Sequence, residues 1–282
     1  MLFRSVLAYA WFNLAASKGN VAAATGRDFL KRTLQSSALT EAQSISSGWK
    51  KGMLLARNSP QSSGIQPTAA SDLKKVGTGT LFVINTDGYA ITNHHVAKEC
   101  SELRVEGWDG NIKVVTEDSV NDIALLKLPR KAKSAASIAP SVDKIRQGEE
   151  VVVFGFPLSE VLSSGGNLTP GLISALTGLG NNTSQLQITA PIQPGSSGSP
   201  VINKKGEVIG VVAMKLSDSK LAHATGQVGQ NVNFAINGLT LSTFLKTHNI
   251  SFSEGSFISW PKNSADLADM ARTWTFPVEC WR

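Results

Sequence analysis

From Val76 onward the chain consists of short β-branched runs cut by turn signals, which leaves little choice of fold. Leu81–Asn85 and Tyr89–Thr92 flank Asp87-Gly88. Leu103–Val105 and Ile112–Val115 flank Asp109-Gly110, and Val201–Asn203 and Val208–Val212 flank Lys204-Lys205-Gly206. Such pairs predict antiparallel hairpins packed as a sandwich or barrel. The texture before them is different. Leu7, Ala10, Trp11, Leu14 and Ala15 recur at helical spacing up to a stop at Gly19-Asn20, and helical stretches follow over about Val21–Leu34 and Leu39–Trp49. Residues 51–75 have linker composition. Beyond the last strand, Leu239–His248 and Ala265–Thr273 read as helices, with the apolar Trp274–Val278 after them.

Charge narrows the function. Residues 1–75 hold 10 Lys/Arg and 3 Asp/Glu, whereas residues 76–282 hold 17 and 18. The β-rich body is therefore neutral and lacks the basic folded face of a nucleic-acid binder, so no nucleic-acid partner is expected. No apolar run reaches the ~18 residues of a membrane helix. With only Cys100 and Cys280, and neither C-x-x-C nor H-E-x-x-H, the sequence supports no metal site and calls for no cofactor.

Three strings carry chemistry. Ile91-Thr92-Asn93-His94-His95-Val96 ends a strand, and Asn121-Asp122-Ile123-Ala124-Leu125-Leu126-Lys127-Leu128 puts an acid at the mouth of an apolar one. Gln193-Pro194-Gly195-Ser196-Ser197-Gly198-Ser199-Pro200 is a turn feeding a third. A serine hydroxyl is a poor nucleophile unless an imidazole takes its proton. The imidazole in turn needs a carboxylate to fix its tautomer and stabilise the cation. A buried Asp122 needs a donor, for which an imidazole N–H would serve. The turn could aim the amides of Gly195 and Ser197 at one developing oxyanion.

These strings resemble the three signatures of trypsin-like serine proteases of the HtrA/Deg type. Gly77-Thr78-Gly79-Thr80, Leu168–Ala175 and Asn233-Phe234-Ala235-Ile236 match in the family's order, so the resemblance covers about residues 76–245. It implies a mainly β fold of two antiparallel six-stranded barrels with the site in the cleft between them. The first barrel would span about 76–135 and the second about 145–237, followed by helix 239–248, a protease domain over 76–248 in all. Residues 249–282 would form a short helical tail. His95 is implied as general base and acid, Asp122 as its orienting partner and Ser197 as nucleophile, with the Gly195 and Ser197 amides as the oxyanion hole. The family's spacing selects His95 over His94, and Ser199 stands where the HtrA pattern usually has a second glycine. The 46 residues after Ile236 are too few for a PDZ module, so none is expected. Within residues 1–50, Ala8–Thr25 resembles the end of a Sel-one-like helical repeat, which makes this segment a candidate surface for a protein partner. A signal peptide over Met1–Ala16 is the rival reading, and Asn13 argues against it.

The primary specificity pocket is implied at Thr189, Ala190, Pro191 and Ile192 and at Asn233, Phe234 and Ala235. Pro191 stands six residues before the nucleophile, where a pocket for Lys or Arg would have Asp. Cleavage of protein or peptide substrates after small or medium aliphatic residues is the expectation. The alternatives are a catalytically silent binding module and an α/β-hydrolase esterase using Ser197, Asp218 and His248. The esterase fails because its nucleophile elbow needs G-x-S-x-G between strand and helix. Here position 199 is Ser and a strand follows. Cys100 and Cys280 are either two thiols or one bridge. The bridge, expected here, implies export to the periplasm or cell envelope, and free thiols a cytoplasmic protein. His94, His223 and His248 have no catalytic role in this reading.

Overall fold

The computed structural model describes residues 2–34, 36–47, 73–139, 145–158, 165–213, 232–256 and 260–282. The chain divides into two units, Met1–Ala70 and Ser71–Arg282. In the first, Gly19 takes a left-handed φ of 87° and ends α1 (Leu2–Ala16). Asn20 then caps α2 (Val21–Thr33), accepting from the Ala23 amide at 2.9 Å. Together with α3 (Ser36–Ser47) these helices bury Val6, Tyr9, Ala38 and Ala42. Residues 51–72 of the expected linker lie outside the described residues.

The second unit begins with β1 (Lys75–Val83) and β2 (Tyr89–Thr92), paired across the Asp87-Gly88 turn. Gly88 sits at φ 89°, and a Cβ there would come within 2.5 Å of the Arg130 carbonyl oxygen, so this turn requires glycine. The short helix α4 (His94–Ala97) follows, then β3 (Glu102–Val105), β4 (Lys113–Asp118) and β5 (Ile123–Lys127). Next come β6 (Ser137–Ile138), β7 (Glu150–Gly155), β8 (Asn167–Ala175), β9 (Gln185–Ile188), β10 (Pro200–Asn203), β11 (Glu207–Ala213) and β12 (Asn233–Asn237). The chain ends with α5 (Gly238–Thr247), β13 (Ser253–Glu254), α6 (Ser264–Arg272) and β14 (Thr275–Trp281).

The strands make two six-strand units, as the mainly β reading expects. In the second, β10-β7-β8-β9-β12-β11 closes into a barrel by pairing β10 with β11; β6 and β13 add in parallel beside β11. The first, β3-β14-β1-β2-β5-β4, is a curled half-barrel that stays open between β3 and β4. The Asp109-Gly110 turn therefore does not join a hairpin. Trp108 and Ile112 are buried in the intervening segment, which carries the chain from one edge of the sheet to the other.

The tail is also more than a helix. After α6, β14 enters the first sheet between β1 and β3, with Val278 and Cys280 buried. Pro277 is unusual inside a sheet because it cannot donate to the ladder. It stands opposite Thr80, whose amide and carbonyl bond to the Ser197 oxygen and the Thr92 hydroxyl instead of to β14. The two residues thus form a non-hydrogen-bonded pair, and the Pro277 nitrogen faces the side where β3 has ended at Val105.

Candidate active site

His95 lies in the first turn of α4, just after β2. Two bonds tie it to Asp122: its backbone amide donates to Oδ1 at 2.9 Å, and its Nδ1 lies 2.7 Å from Oδ2. The side chains are only 21% and 20% exposed. Facing a carboxylate, Nδ1 carries the proton and Nε2 keeps its lone pair, as a general base requires. Asp122 adopts φ 59°, a left-handed conformation that Asp tolerates better than most residues. Asn93 Nδ2 donates to its carbonyl at 2.9 Å. Asp118 shapes the turn leading to it, accepting from the Val120 and Asn121 amides, both at 3.0 Å, and from Asn121 Nδ2 at 2.7 Å.

Burial works to raise the Asp118 carboxyl pKa, but the Asn121 side chain, the two amides and the nearby His248 outweigh it and hold the group below its ordinary value. A depressed folded pKa favours the native state above the unfolded value of about 3.9, and this contribution vanishes as pH falls through the folded pKa. Asp118→Ala is therefore expected to melt below wild type at neutral pH, with the gap narrowing below about pH 4. Melting curves of the two proteins that stay parallel across that range would contradict it.

Ser197 comes from the barrel and is 2% exposed. A Cβ on Gly79 would lie 2.7 Å from a Val96 methyl and 3.3 Å from the Ser197 carbonyl oxygen, so a bare glycine lets the turn approach the helix bearing His95. Among the described residues, neither Ser197 Oγ nor His95 Nε2 has a hydrogen-bond partner, although both are buried.

The turn before Ser197 is fixed by its carbonyls. Leu158 N donates to the Pro194 oxygen at 2.9 Å and Ser199 N to the Ser196 oxygen at 3.0 Å. In a planar trans peptide the N–H points opposite to the C=O. These anchors therefore turn the Gly195 and Ser197 amides the other way, and neither donates a hydrogen bond among the described residues. Gly195 holds φ 95°, where a Cβ would come within 2.6 Å of the Phe156 oxygen. Leu158 itself takes φ 45°, a strained value for a non-glycine residue. Gln193 N donates to Ser196 Oγ at 3.2 Å. Ser199 fits because Gly155 faces it: a Cβ on Gly155 would run into the Ser199 hydroxyl.

The two expected pocket walls meet where Asn233 Nδ2 donates to the Ala190 oxygen at 2.8 Å. Ala190, Ile192, Phe234 and Ala235 are buried, Pro191 is exposed, and Thr189 pairs with Leu172 through its amide and hydroxyl. Asp218 and His223 lie outside the described residues. His94 faces Glu117 at 3.3 Å, and His248 packs on the Phe244 ring at the end of α5. Cys100 and Cys280 form a disulfide that joins the loop after α4 to β14. Among the described residues, no group of three or more His, Cys, Asp or Glu could hold a metal ion, and no helix is long and apolar enough to cross a membrane.

Sequence reasoning had not assigned Asn93, Asp118, Leu158 or Thr80 a part in the site. Leu158 and Asn93 act on backbone groups, which leave no residue signature. Thr80 closes the Gly77-Thr78-Gly79-Thr80 string, so its position was visible although its bonds were not.

Residues 77–211 match the family model described as trypsin-like peptidase domain. The uncharacterized protein y4bJ of Sinorhizobium fredii is 42% identical over 226 residues, 79% of this chain and 35% of that protein. The serine protease Do-like HtrB of Bacillus subtilis is 37% identical over 50% of this chain and 33% of its own length. A probable periplasmic serine endoprotease, DegP-like, of Rhizobium meliloti is 35% identical over 51% and 29%. The solved structure of the HtrA-type protease AlgW with decapeptide aligns with a TM-score of 0.48 and 29% identity over 61% of this chain and 51% of that one. The chain spans about a third of the length of these curated relatives. Over residues 77–211, then, the chain is similar to the trypsin-like peptidase domain, and its named relatives include serine proteases of the HtrA and DegP kind.

Proposed function

We propose that this chain is a serine endopeptidase working through an acyl-enzyme intermediate. The observation that carries the reading is His95 held by Asp122 through Nδ1, with Nε2 buried and unpartnered. In the proposed cycle Ser197 Oγ attacks the scissile carbonyl while its proton passes to Nε2. The carbonyl oxygen becomes an oxyanion received by the Gly195 and Ser197 amides. Collapse breaks the C–N bond, the proton goes from imidazolium to the leaving amine, and water repeats the sequence on the acyl ester. The walls at Thr189–Ile192 and Asn233–Ala235 carry no charged side chain, which supports cleavage after a small or medium aliphatic residue. The test is labelling with a fluorophosphonate, which phosphonylates an activated serine. Wild type should be labelled at Ser197, located by mass spectrometry of the digest, and Ser197→Ala should not. Folded wild type that never labels would favour a catalytically silent binding module.

Export is part of the proposal, supported by the proximity of Cys100 and Cys280 and by relatives named as periplasmic. Thiol titration of denatured, unreduced protein should find no free thiol, and two reactive thiols would rule export by this argument out. The N-terminal helices, with the basic excess of residues 1–75, are proposed as a contact surface for a protein partner.

A further inference from the structure

Resting on the endopeptidase reading above, we infer that Thr80, a residue of the first sheet, positions the oxyanion site of the second barrel by holding the Gly195 carbonyl. Thr80 is fully buried on β1, and every polar atom it has is engaged at the site. Its hydroxyl donates to the Gly195 oxygen at 2.8 Å and accepts from the Phe156 amide at 3.1 Å. Its amide donates to the Ser197 oxygen at 2.8 Å. Its carbonyl accepts from Thr92 Oγ1 at 2.7 Å, and Thr92 lies three residues before His95.

The importance of the hydroxyl follows from the order of the anchors. Three successive carbonyls, those of Pro194, Gly195 and Ser196, are each held by one donor: Leu158 N, Thr80 Oγ1 and Ser199 N. The outer two set the directions of the Gly195 and Ser197 amides. Both outer donors belong to the second barrel's own chain, Leu158 following β7 and Ser199 preceding β10. The middle peptide links the two amides, and rotating it changes the backbone angles on both sides. Its donor comes from the other sheet, the one that carries His95 and Asp122. Within the turn that peptide's own N–H, Ser196 N, donates to the Gln193 oxygen at 2.9 Å, so it is the Thr80 hydroxyl on the Gly195 oxygen, together with the Thr80 amide on the Ser197 oxygen, that keeps the oxyanion site in register with the base.

The surroundings are shaped for that hydroxyl. A Cβ on Gly198 would run into the Thr80 oxygen, and one on Gly155 would come within 3.1 Å of Thr80 Oγ1. An apolar side chain at position 80 would keep the strand pairing but strand a buried carbonyl and a buried amide without partners. Thr80 touches no substrate atom in this account. It is a positioning residue.

The test compares Thr80→Val, which nearly keeps the shape, with Thr80→Ser, which keeps the hydroxyl. For Thr80→Val, the rate of Ser197 labelling by a fluorophosphonate and kcat/KM on a peptide substrate should both fall about 10–100-fold, somewhat less than the loss of a direct oxyanion donor. KM should stay within about threefold, placing the loss in kcat. The pH midpoint of kcat/KM should not move, because the His95–Asp122 pair is untouched. Thr80→Ser should retain the wild-type rate within about threefold. If Thr80→Val does not fold, Thr80→Ala against Thr80→Ser makes the same comparison, since both shed the methyl and only Ser keeps the hydroxyl. A hydroxyl-free variant as fast as wild type, an equal loss in Thr80→Ser, or a shifted pH midpoint would each overturn the inference while wild type still labels. Wild type that fails to label overturns the endopeptidase reading, and this inference falls with it.

Discussion

Asp122→Asn is expected to lower kcat about 10⁴-fold while leaving the fold intact. The reason lies in the double attachment of His95. Its backbone amide needs an acceptor at the Oδ1 position, 2.9 Å away, so the new carboxamide is oriented with its oxygen there. That places the NH2 group where Oδ2 now faces Nδ1 at 2.7 Å. An amide N–H can only donate, so Nδ1 must become the acceptor and the imidazole proton moves to Nε2. A protonated Nε2 cannot take the proton of Ser197. Position 122 keeps its side-chain volume and its acceptor, so melting temperature should change little, and substrate binding, read as KM, should hold. Kinetics on a peptide substrate beside a thermal melt check both statements. A loss below about tenfold would mean that the carboxylate does not set the tautomer.

The same pair shows how far a sequence can be read. Asp122 opens an apolar strand, where an unpartnered carboxylate is too costly to leave, and the structure gives it the backbone and ring of His95 as donors. The β1–β2 and β10–β11 hairpins were legible because each is closed by a local turn with the glycine its backbone needs. The segments around Asp109-Gly110 carry the same turn signal and yet do not pair. Their partners are β14 and β5, and nothing local says that a strand some 170 residues away in the sequence will take one side. The apolar Trp274–Val278 was read only as part of a tail, and Pro277, which normally argues against an inner strand, gives no sign that this stretch is β14. The His95–Asp122 pairing was legible at its side chains, whereas the backbone of the turn at Gly195–Ser197 was not. The carbonyl anchors on Pro194, Gly195 and Ser196 use two amides and one threonine, groups found everywhere in a chain.

Removing residues 273–282 should abolish cooperative folding of the Ser71–Arg282 unit, and activity with it. β14 is an inner strand with seven residues in register against β1 and four against β3, so its loss unpairs both neighbours at once. It also removes the buried side chains of Trp274, Val278 and Cys280, and with Trp274 the edge-to-face contact on Phe82 at the centre of the core. Large-to-small changes at single buried sites cost about 2–5 kcal/mol, and a domain's whole stability is about 5–15 kcal/mol. Several such losses together with two broken ladders exceed what the unit can spare. The reciprocal bonds between Lys74 and Arg282, the Lys75–Glu279 ion pair and the Cys100–Cys280 contact would go as well. These fasten the two ends of the unit and the loop that follows His95. Cys280→Ser separates the covalent tie from the strand itself. It should leave a folded protein that melts lower, by no more than the roughly 5 kcal/mol that chain entropy assigns to a closed loop of this length. Circular dichroism melts of the truncated chain, the Cys280→Ser variant and wild type decide between the two contributions. A truncated protein that melts cooperatively near the wild-type temperature would show that β14 lies against the sheet without being needed to form it. In that case the half-barrel carrying His95 and Asp122 would have to be stable with β1 and β3 both left as open edges.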